Sequence, residues 1–226
     1  MKGKLIIIES GADSSGKATQ TQLLFQRLEQ ESYPVKKVEF PNYQSPSSAL
    51  VKMYLNGDFG KNPGDVDPYI SSTFYTVDRY ASYKTIWEDF YTQGGIILAD
   101  RYATSNMVHQ GAKLEGKDKD RYLEWLWNFE FNIYKLPVPD GVIFLDMPTE
   151  FSNRLMEERK NKYTGGVKQD IHERNKLYLK SSYENSLYVA AKYGWKQVSC
   201  IQGNQLRSIP EIHEDVYREV KDIING

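Results

Sequence analysis

Apolar and β-branched residues occur along the chain in five short runs, and stretches with the spacing of amphipathic helices separate them. The runs are Leu5–Ile8, Val35–Phe40, Gly95–Leu98, Val142–Leu145 and Gln197–Ile201. Five strands that alternate with helices predict an α/β fold, in which a parallel sheet is covered by helices on both faces. Ligands of such sheets bind beyond the carboxyl ends of the strands, so candidate chemistry is sought there first.

Three longer stretches have helical periodicity. Thr19–Gln30 follows the first strand, while Tyr69–Gln93 and Asp120–Lys135 are rich in aromatic residues and end before Gly94 and Pro137. The chain has 17 tyrosines, and we expect most of their rings to pack in the core with the hydroxyl near water.

The bulk composition limits the kinds of partner. A chain of 226 residues with 40% hydrophobic content is long enough for one substantial core, so we expect a single domain. Lysine and arginine number 29 against 30 aspartate and glutamate, which leaves no basic field to attract a nucleic acid. The first apolar run is too short for a signal-peptide core or a membrane span, and the single cysteine, Cys200, favours a buried thiol. We therefore expect a cytoplasmic protein with neither a nucleic-acid nor a membrane partner.

A glycine-containing phosphate loop follows the first strand. It matches the pattern G-x-x-x-x-G-K between a strand and a helix and consists of Gly11, Ala12, Asp13, Ser14, Ser15, Gly16, Lys17, Ala18 and Thr19. The two glycines let successive backbone N–H groups face one anion, the helix N-terminus adds its dipole, and the lysine reaches the outer phosphates. The loop predicts ATP binding in a P-loop NTPase-type fold.

Ala18 departs from the usual form of this loop. A serine or threonine hydroxyl normally stands at that position and binds the Mg²⁺ that bridges the outer phosphates of ATP. Thr19 or Ser15 would be a substitute ligand, or Asp100 would hold the ion through waters. The sequence leaves these three options open.

The end of the third strand carries Asp100-Arg101-Tyr102, an acid and a fork-shaped cation where a phosphate-transfer site would lie. With this motif and several others, nearly the whole chain resembles the thymidylate kinases of the nucleoside-monophosphate kinase group. The motifs are Gly11–Thr19 with Asp13, Phe40-Pro41, Asp78-Arg79, Asp100-Arg101-Tyr102 with Ser105-Asn106, and the stretch from Asp170 to Glu173.

The resemblance implies roles for the residues around the acceptor phosphate and sugar. Asp13 would contact the sugar hydroxyl of thymidylate, and Arg101 would hold the acceptor phosphate with its guanidinium. His109 would crowd the 2′ position and so favour deoxyribose, and Phe40 would form a wall of the same pocket. A core histidine is the alternative for His109.

The resemblance also implies how the base is read. Arg79 would donate to the thymine carbonyl, and Tyr75, one helical turn earlier, would stack on the ring. Asn106 and Gln110 are four residues apart on one helix face and would read the pyrimidine edge with their amides. The structural alternatives are an ion pair of Arg79 with Asp78 or another nearby acid, and a core position for Tyr75.

Two further departures from the family pattern move the catalytic charge elsewhere. Tyr43 stands where many relatives carry an arginine for the acceptor phosphate, and Ser14 leaves the phosphate loop without an arginine. We therefore expect the cation for the transferring phosphoryl group to come from residues 157–169, a charged and glycine-containing stretch that predicts a mobile lid loop. Arg159 is the first candidate, ahead of Lys160, Lys162 and Lys168, and an ordinary solvated loop is the alternative.

The sequence thus predicts transfer of the γ-phosphate of ATP to thymidylate (dTMP), with Mg²⁺ as cofactor, by alignment and electrostatics. Lys17, Asp13, Arg101 and Arg159 are the candidate catalytic residues. The alternatives are a deoxynucleoside kinase, a kinase for another pyrimidine monophosphate, and a non-catalytic ATP-binding module that the missing hydroxyl at Ala18 would permit. The resemblance also implies a homodimer that packs helices such as Tyr69–Gln93 against a twofold mate.

Overall fold

The computed structural model describes residues 2–12, 14–162, 171–172 and 175–226, and the side chains at 158–162 and 176 lie outside that description. In the described part of the chain, five strands form one parallel sheet: β1 (Lys4–Glu9), β2 (Val35–Glu39), β3 (Ile96–Asp100), β4 (Gly141–Asp146) and β5 (Lys196–Ser199). Their spatial order is β2-β3-β1-β4-β5. The predicted α/β fold with a five-stranded parallel sheet is confirmed.

Each central strand contributes to two cores, because neighbouring residues of a strand point to opposite faces. Leu5 and Ile7 of β1 pack with aromatic residues such as Trp87 on one face. Ile6 and Ile8 pack on the other face among residues of the first and last helices. This double burial explains why the central strands have uninterrupted apolar sequences.

Helices cover both faces of the sheet. They are α1 (Lys17–Gln30), α2 (Ala49–Asn56), α3 (Pro68–Ser82), α4 (Glu88–Thr92), α5 (Ala103–His109), α6 (Gly116–Trp127), α7 (Thr149–Lys162), α8 (Lys176–Lys192) and α9 (Ile209–Asn225). No described helix is long and apolar enough to cross a membrane.

The two aromatic-rich stretches are less regular than their periodicity predicts. A π-helical segment, Tyr83–Trp87, separates α3 from α4, and a second one, Asn128–Ile133, continues α6. The wider turns change the face that the following side chains present, so straight helical spacing does not predict which residues are buried beyond them.

Among the boundaries that differ from the sequence prediction, two concern the fifth apolar run and the predicted lid. The fifth apolar run contains β5 and then, after the buried Cys200, the start of a hairpin formed by β6 (Ile201–Gln202) and β7 (Gln205–Leu206). The first part of the predicted lid loop at 157–169 is helical, because α7 continues through Lys162. Residues 157–162 are mostly good helix formers and contain no glycine or proline, so nothing stops the helix there. The remainder, 163–169, lies outside the described residues.

Candidate functional site

The phosphate loop connects the carboxyl end of β1 to the first turn of α1. Gly16 has φ 87°, in the left-handed region that glycine adopts without strain, and it lies directly before Lys17. A Cβ at Gly11 would lie 2.1 Å from Ser186 Oγ, so this position has no room for a side chain. Both predicted glycines are therefore required by the local geometry. Asp13 lies outside the described residues.

Lys17 is held within the loop. Its side chain is 7% exposed, and its Nζ donates to the carbonyl oxygen of Ala12 at 3.1 Å and to Ser15 Oγ at 3.4 Å. The ammonium group thus lies inside the curve of the loop, where an outer phosphate of ATP would replace weak backbone contacts with a strong charge interaction. Ala18 and Thr19, in the first turn of α1, are exposed.

A cavity of about 620 Å³ opens beside the phosphate loop, a size that suits a nucleotide. Loop residues from Ser14 to Thr19 line it, and so do Asp100 and Arg101 at the end of β3. The rest of the lining is largely apolar and includes Met147, Leu155, Leu206, Ile209 and Ile212. The apolar residues that follow β5 give the cavity a wall suited to a base. This wall was not predicted, because Leu206, Ile209 and Ile212 lie beyond the predicted fifth strand and match no local motif.

A second cavity lies next to the first and brings together the residues predicted for the acceptor. It is lined by Phe40, Tyr75, Arg79, Arg101, Asn106, His109 and Gln110. These residues come from the end of β2, from α3, and from the segment between β3 and the end of α5. Distant parts of the chain therefore form one cavity at the carboxyl end of the sheet. Tyr43, 50% exposed, also lines it.

Arg101 lines both cavities. Its backbone has φ 68°, a left-handed conformation that costs a residue other than glycine about 1 kcal/mol or more. The backbone N–H of Arg101 donates to the carbonyl oxygen of Ile8 at 3.2 Å, which fixes the turn after β3 against β1. This turn places the guanidinium where the two cavities meet.

Arg79 is only 1% exposed and is paired with a buried acid. Its Nε donates to Glu130 Oε2 at 3.2 Å, and its Nη2 donates to Glu130 Oε1. Its Nη1 donates to the carbonyl oxygen of Tyr102 at 3.4 Å, so the guanidinium is fixed from two sides. The counter-charge is Glu130, not Asp78, and the sequence analysis missed it. A separation of 51 residues between Arg79 and Glu130 leaves no local pattern that would reveal the pair.

Asp78 has a different task in the same wall. Its carboxylate accepts from the backbone N–H of Asn42 at 2.8 Å and from Ser47 Oγ at 2.6 Å. The loop after β2 is thereby fastened to α3, and Phe40 is held against the ring of Tyr102 at a centroid distance of 5.7 Å. Asp78 shapes the acceptor cavity without lining it.

Two amide side chains lie deep in the acceptor cavity. Gln110 is 1% exposed, and its Oε1 accepts from Ser71 Oγ at 2.8 Å. Asn106 is 3% exposed, and its Nδ2 has no acceptor among the residues that the structure describes. A buried amide donor without an acceptor is costly, so a ligand that supplies a carbonyl oxygen there would be favoured.

Glu9, the last residue of β1, is a functional candidate that the sequence analysis did not name. Its side chain is fully buried, with Oε2 accepting from Thr104 Oγ1 at 2.8 Å and from Ser105 Oγ at 2.6 Å. The backbone N–H of Ser10 donates to Oε1 at 2.9 Å. Glu9 therefore ties the start of α5 to the phosphate loop. A charged residue at the end of a run of four apolar residues was the signal that could have identified it.

Histidine side chains form the remaining wall of the acceptor cavity. His109 Nε2 lies 3.1 Å from Arg101 Nη1, and the rings of His109 and His172 are nearly parallel with centroids 6.2 Å apart. Tyr54 Oη lies 3.0 Å from His172 Nε2 and receives a hydrogen bond from Lys113 Nζ at 3.1 Å. Burial lowers the pKa of Lys113 from 10.5 to about 8.

The side chains of the predicted lid cations lie outside the described part of the chain. Arg159, Lys160 and Lys162 lie in the last two turns of α7, but their side chains are outside the described part of the chain. Lys168 is outside it altogether, as is the predicted motif residue Asp170. Their roles stay predictions.

Comparison with known proteins identifies the family of this chain. A family model described as thymidylate kinase matches residues 8–202. The thymidylate kinase of Plasmodium falciparum is 24% identical over 222 residues, which cover 98% of this chain and 91% of that protein. A probable thymidylate kinase of Pyrococcus horikoshii is 26% identical over the full length of both chains.

A solved structure gives the same fold. The structure of a thymidylate kinase from Candida albicans superposes with a TM-score of 0.64 and 24% sequence identity, and the match covers 99% of this chain and 92% of that one. At this identity the likeness supports the fold alone. The family model spans most of the chain, from the end of β1 to the hairpin after β5, and on that basis the chain belongs to the thymidylate kinase family.

Proposed function

We propose that this protein transfers the γ-phosphoryl group of ATP to thymidylate, giving ADP and thymidine diphosphate (dTDP). ATP would lie in the larger cavity, with its phosphates against the phosphate loop and Lys17. Thymidylate would lie in the smaller cavity, with its phosphate directed toward the junction of the two. The acceptor phosphate is a competent nucleophile near neutral pH, so the protein has to supply alignment and positive charge.

The position of Arg101 is the observation that carries this proposal. A guanidinium that lines both cavities can bind the acceptor phosphate and at the same time face the phosphoryl group in transfer. The left-handed backbone of Arg101, at φ 68°, supports a positional role, because strain of this kind is retained where the side chain must be aimed.

The base-reading residues support thymine as the acceptor base. Asn106 Nδ2 offers a donor to a carbonyl oxygen, and Gln110 offers the remaining amide group beside it. The guanidinium of Arg79, fixed by Glu130, would donate a further N–H to the other carbonyl. Tyr75 and Phe40 line the same cavity with aromatic rings that suit a flat pyrimidine.

Magnesium would be held mainly by Asp100, waters and the phosphates of ATP. Asp100 lines the donor cavity together with Lys17, whereas Ser15 is 3% exposed and already accepts from that lysine. In the described part of the chain, no cluster of three or more metal-binding side chains occurs. Magnesium typically uses one or two carboxylates and keeps several waters, so a single carboxylate at the phosphates fits this ion. When bound, the ion would neutralise charge on the outer phosphates.

Arg159 remains the proposed source of the lid cation. α7 starts shortly after the strand β4, and Met147 between them and Leu155 on the helix both line the donor cavity. Because Leu155 lies one helical turn before residue 159, the end of α7 is close to the place where the phosphates of ATP would lie.

The test is acceptor-dependent release of ADP from ATP and Mg²⁺, with thymidylate, uridylate, cytidylate and thymidine supplied separately. We expect turnover with thymidylate to exceed turnover with each of the others. Turnover with thymidine alone would support a deoxynucleoside kinase instead, and preference for another monophosphate would correct the acceptor. ATP binding without turnover for any acceptor would support a non-catalytic module. These alternatives are not favoured by the family membership.

The variant Arg101→Ala tests the proposed role of Arg101 in binding the acceptor phosphate. We expect kcat/KM for thymidylate to fall roughly 10²–10³-fold, because two charge-assisted hydrogen bonds to the phosphate are lost. The affinity for ATP alone, measured by isothermal titration calorimetry, should change much less. Loss of ATP affinity with unchanged thymidylate kinetics would show that this arginine has been assigned to the wrong substrate.

A homodimer is proposed on separate grounds. Ile70, Val77 and Tyr80 are between 41% and 54% exposed, and their spacing of seven and three residues places them on one face of α3. An exposed apolar stripe of this kind is typical of a helix that packs against a second copy. Multi-angle light scattering should give twice the mass of 26.2 kDa, and a monomer mass at working concentrations would contradict the proposal.

A further inference from the structure

His109 is the last residue of α5 and contacts Arg101, which precedes Tyr102 at the start of that helix. The distance between His109 Nε2 and Arg101 Nη1 is 3.1 Å. A guanidinium has N–H donors and no acceptor, so the imidazole must accept through Nε2. A protonated imidazole has no lone pair to accept with. The contact therefore requires neutral histidine with its proton on Nδ1.

Titratable and charged groups from several elements surround His109. They include Arg101 from the end of β3, His172 from the segment before α8, and Tyr178 from α8. Tyr178 Oη donates to the backbone carbonyl oxygen of His109 at 2.7 Å. His172 is fixed in turn by Tyr54, its ring partner at 5.5 Å. The backbone of His109 is thus anchored by Tyr178, and its ring lies beside the ring of His172.

Protonation of His109 would reverse the sign of this contact. The imidazolium would have N–H donors on both nitrogens and a positive charge about 3 Å from the guanidinium. Two cations at that distance repel, and Arg101 would leave the orientation that the structure shows. An unperturbed imidazole changes charge near pH 6.5, within reach of ordinary assay conditions.

We propose that neutral His109 is a positioning residue for the reaction. Its Nε2 lone pair fixes the guanidinium of Arg101 at the acceptor phosphate, and protonation of its ring releases that arginine. This inference rests on the proposed function, because it assigns His109 to the arginine that binds the acceptor. It also differs from the sugar contact that the family resemblance implies for this position.

The experiment compares the pH dependence of turnover in the wild-type protein, His109→Phe and His109→Gln. Phenylalanine keeps an aromatic wall but cannot accept a hydrogen bond. Glutamine does not titrate, and its Oε1 reaches about the place of Nε2. At pH 8 we expect His109→Phe to lower kcat/KM for thymidylate about tenfold, the value of one charge-assisted hydrogen bond, with the KM for ATP unchanged. His109→Gln should recover most of that loss.

The acidic range supplies the readout that a purely structural role would not change. Thymidylate itself titrates near pH 6, but that effect is common to all variants and cancels in ratios of kcat/KM. The ratio of wild type to His109→Gln should therefore fall as the pH is lowered from about 8 to about 5.5. The control is His213→Phe, which removes a different imidazole that hydrogen-bonds Gln20, and it should keep the wild-type pH dependence.

The outcomes separate this inference from the proposed function. Superimposable pH profiles for wild type and His109→Gln, with normal turnover in both, would overturn the positioning role and leave the kinase activity intact. Wild-type kinetics in His109→Phe at pH 8 would overturn it as well. Absence of thymidylate-dependent turnover in the wild-type protein would reject the proposed function, and the inference with it. If His109→Phe fails to fold, the comparison with His109→Gln alone decides.

Discussion

Replacing Glu130 with glutamine should lower the free energy of unfolding by about 3–5 kcal/mol, the usual effect of removing one partner from a buried ion pair. The side chains of Arg79 and Glu130 are 1% and 0% exposed, so solvent cannot compensate the guanidinium once its counter-charge is gone. Glutamine also directs N–H donors at N–H donors. A typical domain is stable by about 5–15 kcal/mol, so the loss is a large fraction of the total.

Urea denaturation at equilibrium measures this effect. With a slope of about 2–3 kcal/mol per molar urea, the midpoint should shift down by roughly 1–2 M. Glu124→Gln is the matched control, because Glu124 is exposed on the same helix and its replacement should change the free energy of unfolding by less than about 0.5 kcal/mol.

The double variant Arg79→Met with Glu130→Met distinguishes stability from function. Apolar residues in place of both charges should restore most of the lost stability, because no unpaired charge stays buried. Thr76 Oγ1 loses Glu130 as a partner but keeps the carbonyl oxygen of Ser72 at 2.9 Å. If Arg79 contacts the thymine base, the KM for thymidylate should still rise about tenfold or more, while the KM for ATP stays the same.

Two results would refute this reasoning. A double variant as unstable as Glu130→Gln would show that the uncompensated charge is not the cause of the loss. A stable double variant with wild-type thymidylate kinetics would show that Arg79 is a structural residue and does not read the base.

Two further predictions concern the donor side of the molecule. Arg159→Ala should lower kcat roughly 10²–10³-fold with little change in either KM, because its charge is needed in the transition state. Arg154→Ala, which removes an exposed arginine from the same helix, is the control. An unchanged kcat in Arg159→Ala would show that the end of α7 is a solvated segment without a catalytic role. Burial, with a smaller effect of Arg27, lowers the pKa of His213 below 6.5, so the unfolded chain binds its proton first as the pH falls. The stability that neutral His213 provides above pH 6.5 should therefore be lost as the pH falls through the folded-state pKa. Urea unfolding of the wild-type protein and of the non-titrating His213→Gln variant measures this loss. Equal pH dependence of the free energy of unfolding in the two proteins would contradict the prediction.

The centre of the sheet could be predicted because its three central strands, β1, β3 and β4, are buried on both faces. Ile6, Ile7 and Ile8 are all fully buried, so hydrophobicity alone marks the strand. The same criterion is weaker at the sheet edge, where only Val198 of β5 is buried and the boundary with the following hairpin is not visible. The phosphate loop was predictable for another reason, since its glycines and lysine meet a local geometric requirement between β1 and α1.

The residues that line the acceptor cavity could be predicted from the sequence, but the residues that hold them in position could not. Asn106 and Gln110 share a helix face, which spacing reveals. Glu130, Asp78 and His172 act through partners that are 51, 36 and 118 residues away in sequence, and no local pattern encodes such contacts. The contact between His109 Nε2 and Arg101 Nη1 joins residues eight positions apart, and no local pattern predicted it.

The contacts of Glu9 explain how the two halves of the site keep their relative position. Ser105, Asn106 and His109 lie on α5, and the start of this helix is bound through Thr104 and Ser105 to the fully buried carboxylate at the end of β1. The phosphate loop begins at the very next residues, so a single side chain links the acceptor cavity to the donor cavity. In-line transfer requires the two substrates to be aligned within a fraction of an ångström. Glu9 joins the start of α5 to the residue before the phosphate loop from within the sheet, and this linkage favours the alignment that the transfer needs.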